Sequence, residues 1–114
     1  MPNVSCRFKA LMNFVAKNED YFSKQALLGF DIYQQQGRDE ILNNPTIKKA
    51  WEDTKQALAE YLEIKDQAII NFIYCFLNGL ISSRMFECDT FSYTEQSELL
   101  ANMLTTYLQT QKNH

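Results

Sequence analysis

The feature that most constrains this chain is the run from Ala68 to Ile81. Ala68, Ile69, Ile70, Phe72, Ile73, Tyr74, Cys75, Phe76, Leu77, Leu80 and Ile81 leave almost no polar side to a helix placed there, about residues 66–86. A helix that is apolar all round is buried on more than one side. The 114 residues make one domain, 1–114, whose core covers one side of such a helix. A partner subunit is the simplest cover for the rest. Gly79 lies within the run, where glycine costs about 1 kcal/mol relative to alanine, and a close helix–helix approach would justify that cost.

The remaining pattern is helical as well. Three glycines and two prolines are too few for a fold of many short strands. Phe8, Leu11, Met12, Val15 and Ala16 recur at helical spacing over about 4–17, with Asn3 as a cap. A second helix covers about 19–36, capped by Asn18 and stopped at Gly37 in a left-handed position. Arg38–Leu42 is read as a short turn. Asn44-Pro45 opens the third helix, about 45–63, whose apolar face includes Ile47, Ala50, Trp51, Leu58, Tyr61 and Leu62. Ser92-Tyr93-Thr94-Glu95 has the form of a capping box and opens the last helix, about 93–110, with Leu99, Leu100, Met103, Leu104, Tyr107 and Leu108 as its stripe. The expected fold is all-α, an antiparallel bundle of four to five helices.

Composition narrows the chemistry. The net charge is −3, with lysine and arginine scattered singly apart from Lys48-Lys49, so the chain itself is not expected to bind nucleic acid. Cys6, Cys75 and Cys88 are an odd, unclustered set, and the one histidine is His114. No disulfide framework, metal site or cofactor is expected. Cys75, mid-run, is read as a small core residue and Cys88 as a spare thiol. No phosphate-binding glycine motif occurs, and no nucleophile stands beside a base, so catalysis is not expected. The start of the chain lacks the charged-then-apolar pattern of a signal peptide, and Ala68–Ile81 is shorter than the roughly 20 residues of a membrane span. The expectation is a cytoplasmic protein with no membrane partner.

Aromatic residues make up 13% of the chain, and Phe30, Trp51, Tyr61 and Tyr74 all fall on helices. Core packing accounts for such residues in general. A pocket between helices would use the same rings with a few polar groups, for which Asn71 and Asn78, two turns apart, are available. Phe30, Trp51, Tyr61, Asn71 and Tyr74 are the ligand-pocket candidates.

The segment Ala68-Ile69-Ile70-Asn71-Phe72-Ile73-Tyr74-Cys75-Phe76-Leu77-Asn78-Gly79-Leu80-Ile81, a polar loop, and the helix carrying Leu99-Leu100-Ala101-Asn102-Met103-Leu104 together resemble the C-terminal ligand-binding and dimerisation domain of TetR-family transcriptional regulators. Residues Tyr21–Leu62 suit the same pattern, so the likeness spans about residues 19–110. Nothing in residues 1–40 reads as that family's helix-turn-helix. The resemblance implies a regulatory module without its own DNA-binding part, a small apolar or aromatic ligand, and a homodimer formed by the last two helices. Phe72, Phe76, Gly79, Leu80, Leu100, Leu104 and Tyr107 are then the dimer-interface candidates. The competing expectation is a small acidic helical interaction protein that masks a larger partner.

Overall fold

The computed structural model describes residues 3–87 and 90–112 of the chain. Its elements run α1 (Val4–Lys17), α2 (Glu19–Leu42), α3 (Pro45–Leu62), α4 (Gln67–Phe86) and α5 (Tyr93–Lys112), with no strand among the described residues. The all-helical bundle expected from the sequence is what the chain forms.

Local chemistry sets most of the boundaries. The Asn3 side chain accepts from the Cys6 amide, and Asn44 accepts from the Thr46 and Ile47 amides just ahead of Pro45. Asp66 caps α4 through the Ala68 amide, and the Glu95 amide donates to Ser92 Oγ at 3.3 Å. Each such cap satisfies donors that the first helical turn leaves without partners. Asn18 acts differently from expectation. Its side-chain amide donates back to the Phe14 carbonyl, so it closes α1 and makes no side-chain cap for α2. Arg38–Leu42 is helical rather than a turn, and Gly37 breaks α2 ahead of it with φ 83° and ψ 172°. The positive φ was expected at this glycine, but ψ is extended, so the backbone kinks instead of ending in a left-handed cap. Helix α3 ends on Glu63 in the left-handed region, φ 56° and ψ 44°, and the Ile64 amide returns to the Ala59 carbonyl. Arg7 donates to the Leu62 carbonyl at 3.1 Å and pairs with Glu63, satisfying an end that helix geometry leaves open.

Helix α1 is the central strut. Phe8, Met12 and Val15 lie on one face, are buried, and join Leu62, Ile70, Ile73, Leu100, Ala101 and Leu104 in one core. It packs most extensively against α5 and also touches α2 and α3. Removing each of these side chains except that of Ala101 from water is worth roughly 1.5–3 kcal/mol.

Helix α4 buries Ile69, Ile70, Ile73, Leu77, Leu80 and Ile81, a single broad face. Asn71, Phe72, Cys75, Asn78 and Gly79 are exposed. The chain therefore covers one side of the apolar run and leaves the other to solvent. Cys75 is not the core residue expected: it stands on the exposed row with Phe72 and Gly79. Nothing lies within 4 Å of a Cβ built at Gly79, so no close approach inside the chain accounts for that glycine. At 20 residues, α4 is long enough and apolar enough to cross a membrane by length and composition, contrary to the shorter estimate from Ala68–Ile81. Its Ile69–Ile81 face is spent on the core of the chain.

Candidate functional site

A groove of about 850 Å³ opens between α1, α2, α3 and α4. From α1 it receives Leu11, Phe14 and Val15, and from α2 Tyr21, Phe22, Gln25, Ala26, Gly29 and Phe30. Helix α3 adds Ala50, Trp51, Thr54, Ala57, Leu58 and Tyr61, and α4 adds Tyr74, Leu77, Asn78, Ile81 and Ser82. The spacing of 50, 51, 54, 57, 58 and 61 is the helical i, i+3, i+4 pattern, so the apolar stripe read from the α3 sequence is the groove wall. Only Leu58 and Leu62 of that stripe reach the core.

Seven of the lining residues are aromatic: Phe14, Tyr21, Phe22, Phe30, Trp51, Tyr61 and Tyr74. Phe22 and Tyr74 are partly buried, and the other five rings are poorly covered. Tyr21 is 60% exposed, Phe30 51%, Tyr61 46% and Trp51 40%. Phe22 is held edge-on by Phe14 at 6.1 Å and by Tyr21 at 5.3 Å, a cluster at the α1–α2 end. No charged side chain is in the lining, among the described residues. Lys55, outside the lining, sets its ammonium 5.2 Å from the Tyr74 ring centroid. The polar groups are few, as ligand sites require. Thr54 Oγ1 is committed to the Ala50 carbonyl at 2.9 Å. The Gln25 and Asn78 amides are exposed and make no hydrogen bond within the chain, among the described residues.

Four of the five pocket residues expected from the sequence, Phe30, Trp51, Tyr61 and Tyr74, meet in this groove. Asn71 does not. It lies on the outer face of α4, where its side-chain oxygen accepts from Gln67 at 3.3 Å. Asn78, two turns on and on nearly the same helix face, lies far enough along α4 to line the groove. The sequence reading missed Gln25 and the Phe14–Tyr21–Phe22 cluster as groove residues. Phe22, Ala26, Gly29 and Phe30 of the lining recur at helical spacing along α2, but periodicity does not show which neighbour leaves that stripe uncovered.

The expected interface residues divide. Phe72, Gly79 and Tyr107 are exposed, and Phe76 is partly buried with its ring 6.3 Å from Phe8. Leu80, Leu100 and Leu104 are buried in the chain's own core and have no surface to offer a partner. The stripe read along α5 splits for the same reason: Leu100, Ala101 and Leu104 face α1, while Leu99, Met103 and Tyr107 point to solvent.

A polar junction ties three helices at one end of the bundle. Arg84 of α4 donates to both carboxylate oxygens of Glu19 on α2, at 2.7 and 3.3 Å. It also donates to the Phe91 carbonyl, and its guanidinium lies 4.6 Å from the Tyr93 ring centroid. The Glu19 bond holds the Arg84 pKa above its usual value, and burial, then the charge of Glu19, raises that of Tyr93. Three or more His, Cys, Asp or Glu side chains do not gather anywhere among the described residues. Cys88, read as a spare thiol, and His114, the one histidine, lie outside the described residues.

Comparison with models of protein families, with curated proteins and with solved structures finds no match.

Proposed function

We propose that this chain is a ligand-sensing helical module that acts as a homodimer, the regulatory part of a TetR-type transcriptional regulator. The observation that carries the reading is the aromatic groove. A chain with no occupant for this groove would gain by burying Trp51, Phe30, Tyr61 and Tyr21, each of which stands 40% or more exposed instead. The groove's volume lies in the range of small-molecule sites, and its lining has their composition, mostly apolar with a few polar groups.

Surface area supports self-association. A folded chain of 13.4 kDa is expected to expose about 6,500 Å², and this one exposes 8223 Å². Its radius of gyration is 15.4 Å, against about 13 Å for a compact chain of this length. The excess, about 1,700 Å², is roughly twice the ~800 Å² that one partner contributes to a standard-size interface. Phe72, Cys75 and Gly79 on α4, and Leu99, Met103 and Tyr107 on α5, are spaced to form one row on each helix.

Trp51 is the chain's one tryptophan and lines the groove, so its fluorescence reports occupancy. The expected result is a saturable change in Trp51 emission with neutral polycyclic aromatics, a rise in melting temperature by mass action, and twice the chain mass by light scattering. A monomer at high concentration that answers no member of the panel would overturn the reading.

Leu27 and Leu28, about half exposed on α2 and outside the groove lining, favour a second reading, the acidic interaction protein. That reading expects a monomer, no ligand response, and a one-to-one complex with a larger protein that Leu27→Glu abolishes.

A further inference from the structure

We propose that the groove selects an uncharged, flat, multi-ring molecule bearing adjacent hydrogen-bond donor and acceptor groups, and that Gln25 and Asn78 read that polar edge. This rests on the ligand-sensing reading and names its ligand class. Two observations carry it. The first is the lining's lack of charge: a carboxylate or ammonium carried into it would lose water and find no counter-charge. Lys55, the cation beside the site, is set over the Tyr74 ring and is not part of the wall. The second is the pair of uncommitted amides. Gln25 comes from α2 and Asn78 from α4, two helices packed on each other. Each side chain offers both an NH₂ donor and a carbonyl acceptor, and neither spends them inside the chain, among the described residues. Thr54 of the α3 wall already donates to Ala50, and the lining's further polar groups are the hydroxyls of Ser82, Tyr21, Tyr61 and Tyr74 and the indole N–H of Trp51. Stacking on Trp51, Phe30 and Tyr61 favours flat rings whatever their substituents, so discrimination falls to the polar groups, and among those of the lining only the two amides place a donor and an acceptor on separate atoms.

A matched set of three-ring probes separates the terms: phenanthridinone, whose lactam has an NH beside a carbonyl; phenanthrene, without a polar edge; phenanthrene carboxylate; and N-methylphenanthridinium. Binding to the full chain is read from Trp51 fluorescence. The lactam is expected to bind at least about tenfold more tightly than either ion. Gln25→Leu and Asn78→Leu are each expected to weaken the lactam about five- to tenfold and to change phenanthrene less than about twofold, the pattern left when one buried polar partner is lost. Retained helical circular dichroism shows that the variants are folded, and Phe30→Ala, which should weaken lactam and hydrocarbon together, confirms the location. Equal binding of an ion, or loss of phenanthrene and lactam in the same ratio, overturns the selectivity while the groove stands as a ligand site. Failure of all four probes overturns the ligand-sensing reading itself.

Discussion

At the scale of single residues, the junction at Arg84 links three helices through polar contacts. Its guanidinium serves Glu19 of α2, the Phe91 carbonyl ahead of α5, and the face of Tyr93, while only 18% of its side chain is exposed. Removing the cation leaves a carboxylate and a carbonyl poorly solvated, which costs more than the pair itself contributes. Arg84→Met is expected to lower unfolding free energy by about 1–3 kcal/mol, discounted for the partial exposure of Glu19. Urea denaturation measures it, and Glu19→Gln in the same chain should recover part of the loss. Tyr93 adds a pH dependence. Burial and then Glu19 raise its pKa above the ordinary 10.0, so the folded chain favours the neutral phenol more than the unfolded chain does. That contribution is complete below about pH 10 and fades as pH climbs through the unfolded value toward the folded one. Melting temperature should therefore fall on the alkaline side of pH 10, and Tyr93→Phe should flatten that limb; an unchanged alkaline slope in the variant would refute the assignment. Ser97 Oγ, like the Tyr93 hydroxyl, is buried and finds no hydrogen-bond partner among the described residues. Ser97→Ala is expected to leave stability unchanged or raise it by up to about 1 kcal/mol.

At the scale of elements, the helices were legible because their signals are local. Asn3, Asn44-Pro45 and Ser92 announce the starts of α1, α3 and α5 through caps that need only the next three residues. Glu63 was illegible for the converse reason. A left-handed glutamate at the end of α3 is held by Arg7, far away in sequence. The groove was half legible: the period of α3 put Trp51 and Tyr61 on one face, but whether that face meets core or solvent depends on how close α2 lies. The same limit produced the error at Cys75, since an all-apolar run does not reveal which face its own chain will cover. Glycines at the element scale give a paired prediction. Gly37 adopts φ 83°, a conformation that costs any L side chain about 1 kcal/mol or more, so Gly37→Ala should destabilise by that amount. Gly79 is helical with open space around its Cβ position, so Gly79→Ala should stabilise the folded monomer by about 0.5–1 kcal/mol. If α4 packs closely on a second copy there, the same substitution weakens association, and thermal and sedimentation measurements then move in opposite directions.

At the scale of the whole molecule, the governing fact is a surface larger than expected for a chain of this mass, with large apolar side chains among its exposed residues. The extents of 48 × 33 × 20 Å describe a slab, not a sphere, and a slab presents two broad sides. One side carries the aromatic groove. The helices that bound the core elsewhere, α4 and α5, each keep an apolar row in solvent. Burial separates two kinds of substitution that the sequence alone treats alike. Leu100 is 3% exposed and packs into the core. A charge there strands an ion in an apolar site, so Leu100→Glu is expected to unfold the chain, by 3 kcal/mol or about that, and to abolish helical circular dichroism cooperatively. Phe72 is 57% exposed and Tyr107 48%, so Phe72→Glu and Tyr107→Glu should leave the fold and its melting temperature at low concentration nearly unchanged. In the proposed dimer, two-fold symmetry doubles each new charge across the interface and places like charges together. Light scattering on Phe72→Glu should then read a folded monomer where the parent chain reads a dimer. A Phe72→Glu variant that stays dimeric would move the interface off the exposed row of α4.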